Sequence, residues 1–472
     1  MADLLRRRDE AVGADLVELR LDGVGDLEVA SALAHRRLPV IVTCRPVWEG
    51  GRFAGSETDR LSLLQTALDR GAEFVDIEWR AEFAGLVAAT GGRRVVLSFH
   101  DFDGCPADLT ERARAMLATG ADVVKIAVRA RRLTDCLALL ETARALDAPG
   151  RLVLIAMGEY GITTRVCAAK FGAAWTYAGQ VPGVGQVDLP TLVNEYRFRS
   201  IGAATELYGV IGQPVSHSVS PAMHNAAFGA SRRDAVYVPL PATDVADAVA
   251  FVNGFRMKGA SITIPYKVAL VERMDDIDET ARRIGAVNTL RIDHGRWLGM
   301  NSDALGFLQP LVDRALDLRR LRASVLGAGG SARAVVSGLV RSGAMVTVHA
   351  RRRAAAEALA GAWSVAAGPW PPDPGSWDLL VNCTPMGLHP AVENSPVPLD
   401  RLTGRLVYDL VYNPVETRLL REASHAGCEV IGGLDMLVAQ AQEQSQWWTG
   451  ARPAADVMRS AARRRLQECQ PQ

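Results

Sequence analysis

Short apolar runs rich in branched and aromatic residues alternate with longer segments of helical period along most of the chain. In the first 200 residues seven runs recur: Leu16 to Leu21, Val40 to Cys44, Phe74 to Trp79, Val95 to Phe99, Val123 to Val128, Leu152 to Met157 and Trp175 to Ala178. Strand, helix, strand at this spacing predicts a parallel sheet. So many successive units, with no glycine-rich nucleotide loop among them, favour a closed (β/α) barrel over an open sheet, with chemistry at the C-terminal ends of the strands.

Polar residues inside apolar strands are costly unless something uses them. Glu18 and Arg20 alternate on one face of the first run, Arg45 follows the second, and Glu78 lies in the third. His100 ends the fourth, Lys125 sits inside the fifth and Arg165 follows the sixth. A lone strand lysine is ordinarily a rim residue, yet Val-Val-Lys-Ile-Ala-Val surrounds Lys125 with apolar neighbours. Enclosure is expected to cost this lysine its proton and leave an amine able to form a Schiff base with a ketone. His100 is then the expected proton shuttle, with Glu78 orienting its ring, and the arginines can hold a carboxylate in a fork.

The pattern changes at Tyr208 to Asn225. An apolar run, Leu207 to Ile211, is cut by Gly212 and Pro214, and Ser216, Ser218 and Ser220 precede a Pro221 that opens a helix. Such a loop offers hydroxyls and free N–H groups to a polyhydroxylated anion, and capping of the helix is the plainer alternative. Beyond it, Gly259 to Lys267, Gly285 to Leu290 and Gly299 to Asp303 are strand-like segments that finish on Lys267, on Asn288 near the end of the second, and on Asp303. Singly these are turn residues. Brought together they can hold a hydroxylated ring and relay a proton.

The strand-like Ala323 to Leu326 runs into Gly327-Ala328-Gly329-Gly330-Ser331-Ala332, then an apolar helix, then Met345 to Val348. That context predicts a dinucleotide site with the pyrophosphate at the helix N-terminus. Where an acidic residue would select NAD the chain has His349-Ala350-Arg351-Arg352-Arg353, which favours the 2′-phosphate of NADP.

His217-Ser218-Val219-Ser220-Pro221, with His224-Asn225, resembles the substrate signature of shikimate dehydrogenases, and the likeness continues through Gly432 to Ala441. It implies Lys267 and Asp303 as the catalytic pair. It implies Ser218, Ser220, Thr263, Asn288, Tyr412 and Gln440 on the substrate, and Gly327, Ala328, Gly329, Gly330, Arg351 and Met386 on the cofactor. Ser302 stands where that family has threonine, and Ala350 where it has asparagine. The first half, through Glu18 to Asp22, Ser98 to Phe102, Val124 to Ala127, Ala156 to Gly158, Thr164-Arg165 and Gly185-Gln186, resembles type I 3-dehydroquinate dehydratases. The likeness implies a Schiff-base Lys125, a general acid/base His100 partnered by Glu78, and substrate contacts from Glu18, Arg20, Arg45, Arg165 and Gln186. It implies no metal or organic cofactor for that half. Pro182-Gly183-Val184-Gly185-Gln186 lacks the family's lid serine. The family's first strand belongs upstream of a helix at Leu4 to Val12, where the sequence has only Met1 to Asp3; the barrel is therefore expected to lack that strand.

The expected class is α/β: a (β/α) barrel over residues 1–200, joined around Ile201 to Glu206 to a two-domain dehydrogenase. The dehydrogenase would comprise a substrate domain, residues 206–303 with 434–472, and a Rossmann-type NADP domain, residues 304–433. The two halves would catalyse consecutive steps, 3-dehydroquinate to 3-dehydroshikimate and then to shikimate. A quinate dehydrogenase using NAD, and a regulator that binds these metabolites without catalysis, are the alternatives.

Composition agrees with three domains in 472 residues. Lysine plus arginine and aspartate plus glutamate both number 53, which argues against a nucleic-acid or anionic-membrane partner. The seven cysteines, Cys469 near the end among them, form no Cys-x-x-Cys pair, and the N-terminus has no signal-peptide core. A cytoplasmic enzyme acting on small molecules is expected.

Overall fold

The computed structural model describes residues 1–26, 28–81, 83–181 and 183–468, so that Pro182 and Cys469 lie outside the described residues. Two compact units emerge: Met1–Thr205 with Ala242–Phe255, and Glu206–Pro241 with Arg256–Gln472.

Six parallel strands form the first unit's sheet in sequential order, β1 (Val17–Arg20), β2 (Val40–Thr43), β3 (Phe74–Glu78), β4 (Val95–Asp101), β5 (Val123–Arg129) and β6 (Leu152–Met157). Period-two alternation explains what each face carries. Leu19, Val42, Val75, Ile77, Leu97, Phe99, Val124 and Ile126 take one face and are buried. The other face is apolar at its base, where Ile41, Val96, Val123 and Val153 meet Leu16, Phe74 and Trp175. Above that base the same face turns polar, with Glu18, Thr43, Asp76, Ser98 and Lys125 and then Arg20, Glu78 and His100 towards the strand ends.

The seventh expected strand does not form. Trp175 to Ala178 is preceded by a single bridge, Ala173 to Leu152, and the ladder ends there. The Tyr177 carbonyl is taken by Arg165 and the Gly179 N–H turns to Val187, so neither is left for β6. Among the described residues the sheet is thus a curled part-barrel of six strands.

The second unit holds two more sheets. In the first, β7 (Glu206–Gly212) lies between parallel β8 (Ala235–Pro241) and β9 (Gly259–Ile262). Beyond β9 come antiparallel β11 (Thr289–Asp293) and β12 (Arg296–Met300), then short β10 (Asp276–Ile277). The second sheet is wholly parallel, in the order β15 (Ala366–Ala367), β14 (Met345–His349), β13 (Arg322–Leu326), β16 (Leu379–Asn382), β17 (Leu406–Asp409), β18 (Glu429–Ile431). Counted from its own first strand this is 3-2-1-4-5-6, the dinucleotide-binding order, with its switch point between β13 and β16. No described helix is long and apolar enough to cross a membrane.

Candidate functional site

Lys125 projects from β5 beside a carboxylate that its own strand pattern does not reveal. Its Nζ lies 3.0 Å from Asp76 Oδ2 and 3.4 Å from Glu18 Oε2, with the Tyr177 ring centroid 4.5 Å away. Asp76 also accepts from the Ser98 hydroxyl at 2.5 Å and stands 3.0 Å from Arg45 Nη2. Burial opposes the charge on Lys125, but Asp76 and then Glu18 outweigh it and raise its pKa. The expected loss of its proton is therefore corrected: in the resting site this lysine is an ammonium.

The partner of His100 is also corrected. Glu78 directs one oxygen to Arg45 Nη1 at 2.7 Å and the other to Arg60, so it is occupied by two buried guanidinium groups. His100 instead has Nδ1 3.1 Å from Glu49 Oε1, an oxygen that also accepts the His100 N–H at 3.0 Å. Glu49 closes the short turn Val47–Glu49 after Arg45, and Gly50, at φ +76°, reverses the chain where a side chain would be strained. Strand-by-strand reading passes over it because it lies on no strand. Its place in Arg45-Pro46-Val47-Trp48-Glu49-Gly50-Gly51, an acid one turn past a candidate arginine, was the available signal.

Burial, and then the positive charges of Arg45 and Lys125, hold the His100 imidazole well below its ordinary pKa, so it is a neutral base. Burial pushes the Glu49 carboxyl up to about 7 against the pull of Arg45. As pH rises through that value Glu49 ionises, anchors Nδ1–H and leaves Nε2 the stronger base. Any proton abstraction by His100 is expected to quicken through about pH 7, and Glu49→Gln should flatten that limb; a pH–kcat profile of the two proteins checks it, and an unchanged limb would refute it.

Of the three arginines, Arg20 is paired bidentately with Asp22 at 2.9 Å for both contacts, and Arg45 with Glu78 and Asp76. Arg165 alone faces no acid: it is 2% exposed, gives Nη2 to the Val184 carbonyl at 2.9 Å, and its Nε is buried without a partner. Burial lowers its pKa to about 10. An anion entering here would answer an existing cost. Gln186 accepts the Val181 N–H at 3.0 Å and so braces its own loop, which Arg129 also holds through the Gly183 carbonyl at 2.8 Å.

In the second unit, Lys267, just past β9, gives Nζ to Asp303 Oδ2 at 2.6 Å. Asn288 Nδ2 meets the other oxygen of Asp303 at 2.7 Å and reaches Gln440 Oε1 at 3.4 Å. Asn288 is itself fixed, because its Oδ1 accepts the Ser302 N–H and the Thr289 hydroxyl, each at 2.8 Å. Asp303 begins the helix Asp303–Asp313 and Gln440 sits in the helix Gly433–Thr449. These pack so closely that a Cβ on Gly306 would lie 2.7 Å from Gln440 Cβ. Thr263 continues the pairing of β9 by giving its N–H to Ile211. The Ser218 hydroxyl accepts the Ser220 N–H at 3.2 Å just before the helix Ser220–Ala230, whose N-cap is Val219 with no side-chain cap bond. Tyr412 packs against the apolar cluster that includes Val219, Met223 and Leu434.

Gly327 to Gly330, expected on the cofactor, lie at the switch point. Gly327, at φ +107°, follows β13 with its Cα side facing the Cys383 carbonyl, and the helix Gly330–Arg341 starts three residues on. A Cβ at Gly329 or Gly330 would meet nothing within 4 Å, so open space lies before a helix N-terminus where a pyrophosphate fits. Arg351 and Arg352 follow β14, are exposed and have no ion pair among the described residues.

The family described as type I 3-dehydroquinase matches residues 1–203, the shikimate dehydrogenase substrate-binding domain residues 210–290, and the shikimate 5′-dehydrogenase C-terminal domain residues 433–463. The chloroplastic bifunctional 3-dehydroquinate dehydratase/shikimate dehydrogenase of Arabidopsis thaliana is 34% identical over 475 residues, spanning 93% of this chain and 78% of that one. The chain belongs to this bifunctional family. Its dehydrogenase half is 42% identical over 273 residues to shikimate dehydrogenase (NADP(+)) of Symbiobacterium thermophilum, covering 54% of this chain and 93% of the relative. Among solved structures, shikimate 5-dehydrogenase from Thermus thermophilus in complex with NADP(H) and shikimate matches with a TM-score of 0.52 at 38% identity, covering 55% of this chain and 99% of that one.

Proposed function

We propose that the chain dehydrates 3-dehydroquinate to 3-dehydroshikimate and reduces that product to shikimate with NADPH. The observation that carries this is the family match over 93% of the chain, in which each half holds a lysine on a carboxylate. We assign the dehydratase to residues 1–200, substrate binding for the reductase to 206–303 with 434–472, and NADP binding to 304–433. The break between the compact units at Thr205 and Glu206 supports a first boundary near residue 200, although Ala242–Phe255 groups with the first unit.

In the first half Lys125 adds to the substrate ketone and expels its oxygen as water, giving an iminium. His100 takes a proton from the adjacent carbon, and the β-hydroxyl leaves as a second water. Hydrolysis of the iminium frees product and returns Lys125. Arg165 holds the substrate carboxylate. Glu18, Arg20, Arg45 and Gln186 line the same strand ends, with Glu78 fixing Arg45.

In the second half Ser218, Ser220, Thr263, Tyr412 and Gln440 bind substrate, and Asn288 holds Asp303 against Lys267. Lys267 gives its proton to the ketone oxygen. NADPH, when bound, supplies the hydride. Gly327, Ala328, Gly329 and Gly330 would cradle its pyrophosphate, Arg351 would meet the 2′-phosphate and Met386 would contact the cofactor. Arg351→Ala should raise the KM for NADPH about ten- to a hundredfold, the range of a lost charge-assisted hydrogen bond, and leave kcat nearly unchanged; initial rates against NADPH concentration check it.

The formal charge of zero supports small-molecule substrates over nucleic acid. The six described cysteines are all free thiols, which supports a reducing compartment, and we place the enzyme in the cytoplasm. Kinetics of the Lys125→Ala variant, which cannot dehydrate 3-dehydroquinate first, with 3-dehydroshikimate and with 3-dehydroquinate as ketone, each with NADPH and NADH, tests the substrate pair. Preference for 3-dehydroshikimate with NADPH is expected, and preference for the quinate-forming reaction with NADH would overturn the assignment.

A further inference from the structure

Asp409 ends β17, is fully buried, and has no ion-pair partner among the described residues. A buried carboxylate without a cation is costly, and an asparagine would fill the same space. What the carboxylate adds is acceptance. Oδ1 accepts from Asn382 Nδ2 at 2.9 Å and from the Val411 N–H at 3.0 Å, and Oδ2 accepts from the Thr417 hydroxyl at 2.6 Å. All three partners are donors. An ionised Asp409 satisfies them together, whereas a protonated acid or an amide presents hydrogen to one of them.

The three donors belong to three segments. Asn382, at the end of β16, carries the tie onward: its Oδ1 accepts the Thr384 N–H at 3.0 Å and the Thr384 hydroxyl at 2.6 Å. Its Nδ2 reaches the Met386 carbonyl at 3.3 Å, and the Thr384 hydroxyl accepts the Met386 N–H at 3.2 Å. The turn bearing Met386 therefore hangs from Asp409 through one side chain. Val411 leads directly into Tyr412, and a bond from the His389 N–H to the Asn413 carbonyl, 2.9 Å, joins the two turns. Thr417 caps the helix Arg418–His425.

We propose that Asp409 is a positioning residue for the reductase, holding the Met386 turn and the Tyr412 turn in one register so that cofactor and substrate meet at a fixed spacing. It rests on the reading above, in which Met386 faces the cofactor and Tyr412 the substrate. Burial pushes the Asp409 carboxyl up to about 6 against its three donors. Cys383, whose thiol is raised by burial and by the Asp409 charge, is the titratable group that faces it. Asp409 is thus ionised and gripping above about pH 6, and takes up a proton and slackens both turns below it.

The test is Asp409→Asn in the full chain, read by calorimetric titration with NADP+ and by reductase kinetics across pH 5.5 to 8. A melting curve and circular dichroism spectrum of the variant report on folding of its unit, and the dehydratase rate, which belongs to the other unit, should not change. NADP+ affinity is expected to fall about fivefold at pH 7.5, the KM for 3-dehydroshikimate to rise by a similar factor, and kcat to move less, as one weakened charge-assisted bond would give. The wild-type loss of kcat/KM near pH 6 should vanish from the variant. Asn382→Ala cuts only the branch to Met386, and should weaken NADP+ while leaving the KM for 3-dehydroshikimate within about twofold; it carries the test if Asp409→Asn fails to fold. Unchanged NADP+ affinity in both variants, or a lowered melting temperature with intact binding and kinetics, would overturn the proposal. Calorimetry decides between these outcomes even if the wild-type chain reduces no 3-dehydroshikimate, a result that would overturn the reading of the site instead.

Discussion

Lys125→Ala is expected to abolish dehydration of 3-dehydroquinate and to leave the reduction of 3-dehydroshikimate within about twofold of the parent. The loss should be on the order of 10⁴-fold or more, because a covalent nucleophile cannot be replaced by the residues that merely orient it. The variant should still fold. Asp76, which loses its ammonium partner, keeps Arg45 at 3.0 Å and the Ser98 hydroxyl at 2.5 Å, so its charge is not stranded. A circular dichroism spectrum and melting curve matching the parent's are the control for that, and the reductase rate of the same preparation fixes the amount of active protein. Enone absorbance without NADPH measures the first activity. Borohydride added with 3-dehydroquinate should attach the substrate mass to the parent and not to the variant. Dehydration within about tenfold of the parent would remove Lys125 from the chemistry.

Lys267→Met should do the reverse, with reductase kcat down on the order of 10³-fold, the scale of a lost general acid, and dehydration untouched. The geometry ties the effect to proton transfer. Asp303 holds Nζ at 2.6 Å through one oxygen and is itself held by Asn288 at 2.7 Å through the other, so the ammonium is aimed before substrate arrives. Asp303→Asn, which keeps the shape and drops the charge, should lose less. Rates of NADPH oxidation at saturating 3-dehydroshikimate decide this, and a fall of less than about tenfold for Lys267→Met would mean that the proton comes from elsewhere.

Much of this could be read from sequence because it follows from local periodicity. Six of the seven runs in the first half became strands, and Gly327 to Gly330 fell between a strand and a helix as the motif demands. Lys267, Asn288 and Asp303 come together because each lies at the end of a neighbouring strand or at the start of a helix beside it. Pairings between charges were harder to foresee. Phe74, Asp76 and Glu78 share one strand face, yet only register with β4 and β5 shows that Asp76 meets Lys125 while Glu78 is taken by Arg45 and Arg60. The protonation of Lys125 followed the same course: apolar neighbours in sequence hid two carboxylates contributed by other strands. Glu49 escaped because it sits on a turn, and Trp175 to Ala178 failed as a strand because its backbone bonds were claimed by Arg165 and by the segment that follows.

The most direct test of two consecutive activities in one chain is a single assay: 3-dehydroquinate and NADPH are mixed with the purified 472-residue protein, and NADPH loss is followed. NADPH should be consumed after a lag in which enone absorbance rises, and Lys125→Ala should consume none. If the protein oxidises NADPH with 3-dehydroshikimate but not with 3-dehydroquinate, the first half is not a working dehydratase and the account of it is wrong.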